Sequence, residues 1–207
     1  LGGGSGEPCK RAARPKAASG RFGPPAGSQG LGCTSAAHYT GGPMDDLPAS
    51  PLGPEQAALL ARRVSIMVAS RDAQLRPHLM RALACRLSAD RRVVTVLLPL
   101  RAAAQVLDDL RANRRVAMVC SEPTTNRTLQ LKSDDAQVLG ADAGDAAQAA
   151  RHLEDFAAEI GELGLPAQVA QTVLAADGGI AAVRFTVREA FEQTPGLRAG
   201  KRRGSTG

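Results

Sequence analysis

The chain has 207 residues and a formal net charge of +6 at neutral pH, with 43% hydrophobic but only 2% aromatic residues. This length suggests one or two domains. The sequence contains neither an apolar run of the roughly 18 residues that a membrane span needs nor the apolar core of a signal peptide, so we expect a cytoplasmic protein without a membrane partner.

The N-terminal segment, residues 1–43, differs in composition from the rest. It holds 11 of the 22 glycines and 5 of the 13 prolines, with five basic side chains and one acidic. Such a segment cannot bury enough apolar surface to offset its ordering entropy, and we predict that it is disordered. Met44 directly precedes the globular patterning, and our hypothesis is that it is the natural start. We expect the folded domain over residues 47–196.

Strands dominate the first half of this domain. The predicted elements are, in order, a short helix over residues 54–63 and strands over 64–69, 78–87 and 93–98. Pro99 ends the third strand because it has no N–H to donate to a sheet.

Helices and strands mix in the second half. The spacing predicts a helix over residues 102–110, strands over 116–120, 128–132 and 136–139, helices over 145–163 and 169–174, and a final strand over 183–187. Strictly alternating strand–helix units, which indicate a parallel sheet, are absent. The order predicts a mainly β, antiparallel α+β fold.

The C-terminal segment, residues 197–207, is predicted to be a basic tail. Basic ends can attract nucleic acid or an anionic membrane. The chain has neither aromatic residues interleaved for base stacking nor a nucleic-acid motif, so we expect solvated tails and no nucleic-acid partner.

The spacing of the four cysteines does not indicate a disulfide framework. Cys9 and Cys33 lie in the N-terminal segment, and Cys85 and Cys120 lie in apolar, strand-like runs. No CxxC pair or metal-ligand spacing occurs, so we expect no metal site. Cys85 and Cys120 are interpreted as small buried hydrophobic residues in a reducing compartment.

Four short motifs occur in a characteristic order along the chain: Asp72-Ala-Gln-Leu-Arg-Pro-His78, Arg81-Ala-Leu-Ala-Cys-Arg86, Asn113-Arg-Arg-Val116 and Asn126-Arg-Thr-Leu-Gln-Leu-Lys132. Together they resemble the pyridoxamine 5'-phosphate oxidase-like family of FMN-binding split barrels. The resemblance implies an antiparallel split β-barrel, FMN as the cofactor, and a homodimer with the flavin between its subunits. The chain lacks tryptophan and the C-terminal aromatic residues of the family's founding oxidase, so we do not expect it to oxidise pyridoxamine phosphate itself.

The resemblance also implies a set of cofactor-binding residues. The candidates are Arg81, Arg86, Arg101, Gln105, Arg127, Thr128 and Lys132. Guanidinium groups suit a flavin phosphate because they donate paired, charge-assisted hydrogen bonds. In one continuous strand, however, Arg81 and Arg86 would point to opposite faces because their separation is odd.

No catalytic constellation is visible in the sequence. His38, His78 and His152 have no nucleophile or carboxylate at a telling spacing, and Asp134-Asp135 is interpreted as a solvated turn. A flavin supplies its own redox chemistry, so the lack of a recognisable catalytic group is compatible with an enzyme. The first hypothesis is a flavin-dependent oxidoreductase acting on a small molecule. The alternatives are a non-catalytic barrel that binds flavin, haem or another small ligand for sensing or storage, and a basic-tailed binding protein without a cofactor.

Overall fold

The computed structural model describes residues 52–176 and 178–203. The expectations for residues 1–43 and for a start at Met44 fall outside this part of the chain. The described elements are, in chain order, α1 Pro54–Leu60, β1 Ser65–Arg71, β2 Pro77–Arg81, β3 Ala84–Leu87, β4 Val93–Pro99, α2 Ala104–Asn113, β5 Val116–Ser121, β6 Thr128–Ser133, β7 Gln137–Gly140, α3 Asp145–Gly161, α4 Ala167–Val173, β8 Ile180–Thr186, β9 Glu189–Glu192 and β10 Arg202–Arg203.

The strands form two antiparallel sheets around a shared core. Sheet A has the order β10-β9-β6-β5-β1-β2, and sheet B has the order β3-β4-β8-β7. Alternate residues of both sheets are buried in one cluster, among them Val68 and Met118 from sheet A and Val96 and Phe185 from sheet B. Burying this apolar area is the main favourable term in folding. The predicted antiparallel α+β split barrel is confirmed.

The predicted second strand, residues 78–87, is wrong as a single element. The chain crosses between the sheets after Arg81: the Ala82 N–H donates to the Ile66 carbonyl of sheet A at 2.9 Å, and the Leu83 N–H to the Leu97 carbonyl of sheet B at 2.8 Å. Ala82, Leu83 and the residue after them are all buried, which an alternating strand with one solvated face does not allow. Arg81 and Arg86 therefore belong to different sheets.

The last strands are absent from the sequence-based predictions. β9 pairs with β6, and β10 pairs with β9 inside the segment that we expected to be a basic tail. The hairpin is held by the Glu192 N–H, which donates to the Lys201 carbonyl at 3.0 Å, and by an Arg202–Glu189 ion pair at 3.1 Å. These short segments lack a long apolar alternation, and pairing with an existing sheet edge stabilises them.

The helices pack on the core and on sheet B. α2 adds its apolar side to the shared core, whereas α3 and α4 form a second cluster with Leu97 and Ala182 on the other face of sheet B. Within the described residues, no helix is long and apolar enough to cross a membrane.

Candidate functional site

The outer face of sheet A, opposite the shared core, carries the largest group of candidate residues. Cross-strand partners in an antiparallel sheet point to the same face, so the register identifies its members. Two rows run across this face: Leu79, Ala69, Ala117, Lys132 and Glu189 in one, and Arg81, Met67, Val119, Gln130 and Phe191 in the other. Most of these side chains are half-buried, which leaves a face that is partly apolar and open to a ligand.

Arg81 stands at one edge of this face beside a line of hydroxyl groups. Its Nη1 donates a short hydrogen bond to the Ser65 hydroxyl. Ser65 pairs with Ser121, and Ser121 with Thr128, whose hydroxyls lie 2.9 Å apart. We call Ser65, Ser121 and Thr128 the hydroxyl row. Arg81 has no second hydrogen-bond acceptor in the described part of the chain, so its remaining donors are available to an anion.

Lys132 and Arg127 lie away from Arg81. β1 and β5 lie between β2 and β6, so three strand intervals, about 14 Å, separate the strand of Arg81 from the strand of Lys132. The Lys132 ammonium also turns away from β2 and lies 4.7 Å from the centre of the Phe191 ring. Arg127 is exposed in the turn before β6. Because β2 and β6 are not neighbours in sheet A, one phosphate cannot be held by both Arg81 and Lys132 in this arrangement.

Arg86 is engaged in an ion-pair cluster with the start of α3. Its Nη1 contacts the Asp145 carboxylate at a short distance and Gln148 Oε1 at 3.2 Å, and its Nη2 lies 3.1 Å from Asp142 Oδ2. Burial alone would raise the pKa of Asp145, but the Asp142 backbone N–H and the Arg86 guanidinium outweigh it and lower that pKa. The described contacts of Arg86 therefore connect sheet B to α3.

Arg101 and Gln105 lie near the start of α2, the helix whose apolar side joins the shared core. Arg101 packs beside Gly178, where a Cβ would come within 3.0 Å of the Arg101 Cβ; Gly178 also has a φ of +81°, which favours glycine. The Gln105 amide donates to Asp109 Oδ1 at 3.3 Å, within the same helix. The helix start thus offers fewer free polar groups than the sequence suggests.

A histidine–carboxylate pair joins β2 to α2, which sequence analysis missed. Asp109 Oδ2 lies 2.7 Å from both His78 Nδ1 and the Ser70 hydroxyl. Burial by itself would raise the pKa of Asp109, but hydrogen bonds from Ser70, His78 and Gln105 outweigh it and lower that pKa. The ionised carboxylate fixes the imidazole with Nε2 as the free nitrogen, since Nε2 has no partner in the described ranges. No local pattern links two residues 31 positions apart.

A basic cleft occupies the other end of the outer face. It has a volume of about 970 Å³ and is lined by Arg71, Arg115, Lys132, Arg188 and Arg202 on the cationic side and by Asp134 and Glu189 on the anionic side. Arg188 and Arg202 pair with Asp135 and Glu189, at 3.3 and 3.1 Å. The excess of cations favours an anionic ligand here as well.

The site offers hydrogen-bond donors and a ligand-binding surface rather than reactive side chains. Within residues 52–176 and 178–203, no group of three or more metal-ligating side chains occurs. Gln130 was also missed, although its position two residues after Thr128 on β6 places it on the same face. Its carbonyl oxygen accepts from the Gln193 amide at 3.1 Å, which leaves its own N–H donors free for a ligand.

Comparison with known proteins gives similarity only to solved structures. No protein-family model and no curated protein matches the chain. The chain is similar to HupZ from Group A Streptococcus, with 17% identity, a TM-score of 0.44, and coverage of 72% of this chain and 99% of HupZ. A candidate pyridoxamine 5'-phosphate oxidase from Lactobacillus delbrueckii has 16% identity, a TM-score of 0.42, and coverage of 68% and 93%.

HutZ, described as a haem storage protein from Vibrio cholerae, has 18% identity, a TM-score of 0.40, and coverage of 68% of this chain and 94% of HutZ. At the level of fold, the solved structures similar to this chain include pyridoxamine 5'-phosphate oxidase-like FMN-binding proteins, the family that its sequence motifs resemble.

Proposed function

We propose that the chain binds FMN on the outer face of sheet A and acts as a flavin-dependent oxidoreductase on a small molecule. The observation that carries the proposal is Arg81 beside the hydroxyl row, on an open and partly apolar sheet face. A phosphate needs fixed cationic donors, and a polyhydroxylated chain needs hydroxyl partners. The residues present therefore fit the polar half of a flavin mononucleotide.

The apolar part of the same face suits the flavin ring. Met67 and Val119 are cross-strand partners in the row that begins with Arg81, and both are half-buried. Gln130 continues that row with amide donors. The bound flavin would supply the electron transfer, and the chain would bind the phosphate, support the ring and leave its exposed side open to a substrate.

Titration of the protein with FMN, followed by quenching of flavin fluorescence, tests this proposal. Arg81→Ala should weaken binding about ten- to a hundredfold, because charge-assisted hydrogen bonds are worth roughly 1.5–3 kcal/mol. Arg184→Ala is the matched control, since Arg184 is an exposed arginine of sheet B without a partner in the described ranges. Equal affinity of wild type and Arg81→Ala would remove Arg81 from the site, and no binding by wild type would end the flavin proposal.

Lys132→Ala separates the two cationic ends of the face. If the phosphate lies at Arg81, this variant should bind FMN within about threefold of wild type, because the Lys132 ammonium lies over Phe191. A loss of affinity equal to that of Arg81→Ala would instead place the phosphate in the basic cleft.

A second candidate function is non-catalytic storage or sensing of haem, which the His78–Asp109 pair favours. Histidines that ligate metals usually donate their other ring N–H to a carboxylate, and this is the arrangement of His78 and Asp109. The absorption spectrum of the protein separates the candidates. Bands of oxidised flavin would support the first, whereas a Soret band that is lost in His78→Ala but kept in His152→Ala would support the second.

A further inference from the structure

The basic cleft on the outer face of sheet A contains three cations that the proposed flavin site does not use. They are Arg71, Arg115 and Lys132, and within the described ranges none of them is paired with a carboxylate. The Arg71 guanidinium donates to the Asp72 backbone carbonyl at 3.2 Å, and the Lys132 ammonium lies over the Phe191 ring. These neutral partners leave the three positive charges uncompensated.

The acidic side chains of the cleft are neutralised by its other two cations. Arg188 lies 3.7 Å from Asp134 and 3.3 Å from Asp135, and Arg202 lies 3.1 Å from Glu189. The excess positive charge of the cleft therefore comes from the three unpaired cations, and it favours an anion of comparable charge.

One side chain fixes two of these cations beside each other. The Asn113 amide donates to the Arg71 backbone carbonyl at 2.7 Å, and Asn113 Oδ1 accepts the Arg115 backbone N–H at 2.9 Å. Arg71 ends β1, and Arg115 directly precedes β5, the neighbouring strand. Because like charges on neighbouring strands repel each other, an anion that binds both guanidinium groups relieves this repulsion.

We propose that the basic cleft binds the diphosphate group of a small ligand, at a site separate from that of the flavin. Each guanidinium presents a planar set of N–H donors, and two linked phosphates present acceptor oxygens to both. The paired residues Ala69 and Ala117 line the cleft with small side chains, which leaves room beside the arginines. The cleft volume of about 970 Å³ is enough for a nucleotide.

The lining favours a small molecule over an extended polyanion such as RNA. Asp134 and Glu189 belong to the lining at the β6 and β9 side, where they would repel a chain of phosphates that continued across the sheet. The described lining also contains no aromatic side chain on which bases could stack.

Isothermal titration calorimetry of the full chain with inorganic pyrophosphate, at low salt and without divalent cations, tests the proposal. The expected result is saturable binding of one pyrophosphate per chain. Arg71→Ala and Arg115→Ala should each weaken it about tenfold or more, because each removes charge-assisted hydrogen bonds. Absence of saturable binding by wild type would overturn the proposal.

Two comparisons exclude a general effect of positive charge. Arg184→Ala removes an exposed arginine of sheet B and should leave the affinity for pyrophosphate unchanged. Inorganic orthophosphate should bind wild type at least about tenfold more weakly than pyrophosphate, because it cannot bridge both guanidinium groups. Equal losses in Arg184→Ala and Arg115→Ala, or equal affinities for the two anions, would overturn the proposal. A circular-dichroism melt confirms that each variant is folded.

Two further titrations identify the ligand and separate this site from the flavin site. Binding of ADP as tightly as pyrophosphate would assign the cleft to a nucleotide, whereas binding of pyrophosphate alone would assign it to the free anion. Saturating pyrophosphate should leave the affinity for FMN within about threefold of its value without pyrophosphate, because the proposed function places the flavin phosphate at Arg81. Competition between the two would overturn the separate site, whereas a protein that binds pyrophosphate but not FMN would end the flavin proposal alone.

Discussion

Replacing Arg86 by Ala should destabilise this domain, because Arg86 pairs with the buried carboxylate of Asp145. The Asp145 carboxylate has no exposed surface, whereas the Arg86 side chain is 40% exposed. Replacing Arg86 by Ala leaves the carboxylate buried with the Asp142 N–H, at 2.8 Å, as its remaining donor in the described chain. The variant therefore exposes the cost of an unpaired buried charge.

The magnitude follows from this burial. Removing one partner of a fully buried pair costs about 3–5 kcal/mol, and the exposure of Arg86 reduces this through solvent screening to about 2–4 kcal/mol. In a protein of this size, such a loss should lower the melting temperature by roughly 5–15 °C. Urea denaturation at pH 7, followed by circular dichroism, measures the free energy of unfolding directly.

The pH dependence identifies the carboxylate responsible. The pKa of Asp145 is lowered in the folded protein, so its stabilising contribution is present above the ordinary carboxyl pKa and is lost as the pH falls through the folded value. The difference in stability between wild type and Arg86→Ala should be full at pH 7 and should shrink below about pH 4.

Arg184→Ala is the matched control for this prediction, because Arg184 lines the same surface of sheet B and is exposed. It should change the free energy of unfolding by less than about 0.5 kcal/mol. If Arg86→Ala is no more destabilising than Arg184→Ala, or if its deficit is the same at pH 3 and pH 7, the reasoning from the buried Asp145 is refuted.

Three further predictions concern the hydrogen bonds of Asp109, the N-terminal segment and the homodimer. Asp109→Asn should lower the free energy of unfolding by about 1–3 kcal/mol, because Asp109 is buried and hydrogen-bonded to Ser70 and His78. The control is Asp108→Asn, which changes an exposed neighbour. Equal urea midpoints of the two variants would contradict the prediction. Deleting residues 1–43 should leave the melting temperature within about 2 °C, since that segment has few side chains able to join a core; a much larger fall would show that it docks. Light scattering of residues 44–207 at micromolar concentration should give the mass of a homodimer, because Leu79 is 61% exposed on the partly apolar outer face of sheet A; a strictly monomeric mass would count against a flavin site between subunits.

The sequence by itself determined most of the secondary structure. The alternation in Thr128–Ser133 and the apolar stripe of Asp145–Gly161 are local consequences of burying one side of an element, so their periods of 2 and 3.6 residues are visible without a structure. The antiparallel α+β class followed from the order of these elements. The resemblance of the motifs to the split-barrel family depended on the same short stretches.

Only the tertiary structure decided which side chains meet. The crossing between sheets after Arg81 separates it from Arg86, which then pairs with the buried Asp145. The packing of α2 against β2 likewise brings His78 to Asp109. Such contacts join residues that are distant along the chain, and each depends on which sheet a strand enters and which way it faces. Local periodicity contains no information about that choice, because two strands with the same alternation pack equally well until the register of their neighbours is fixed.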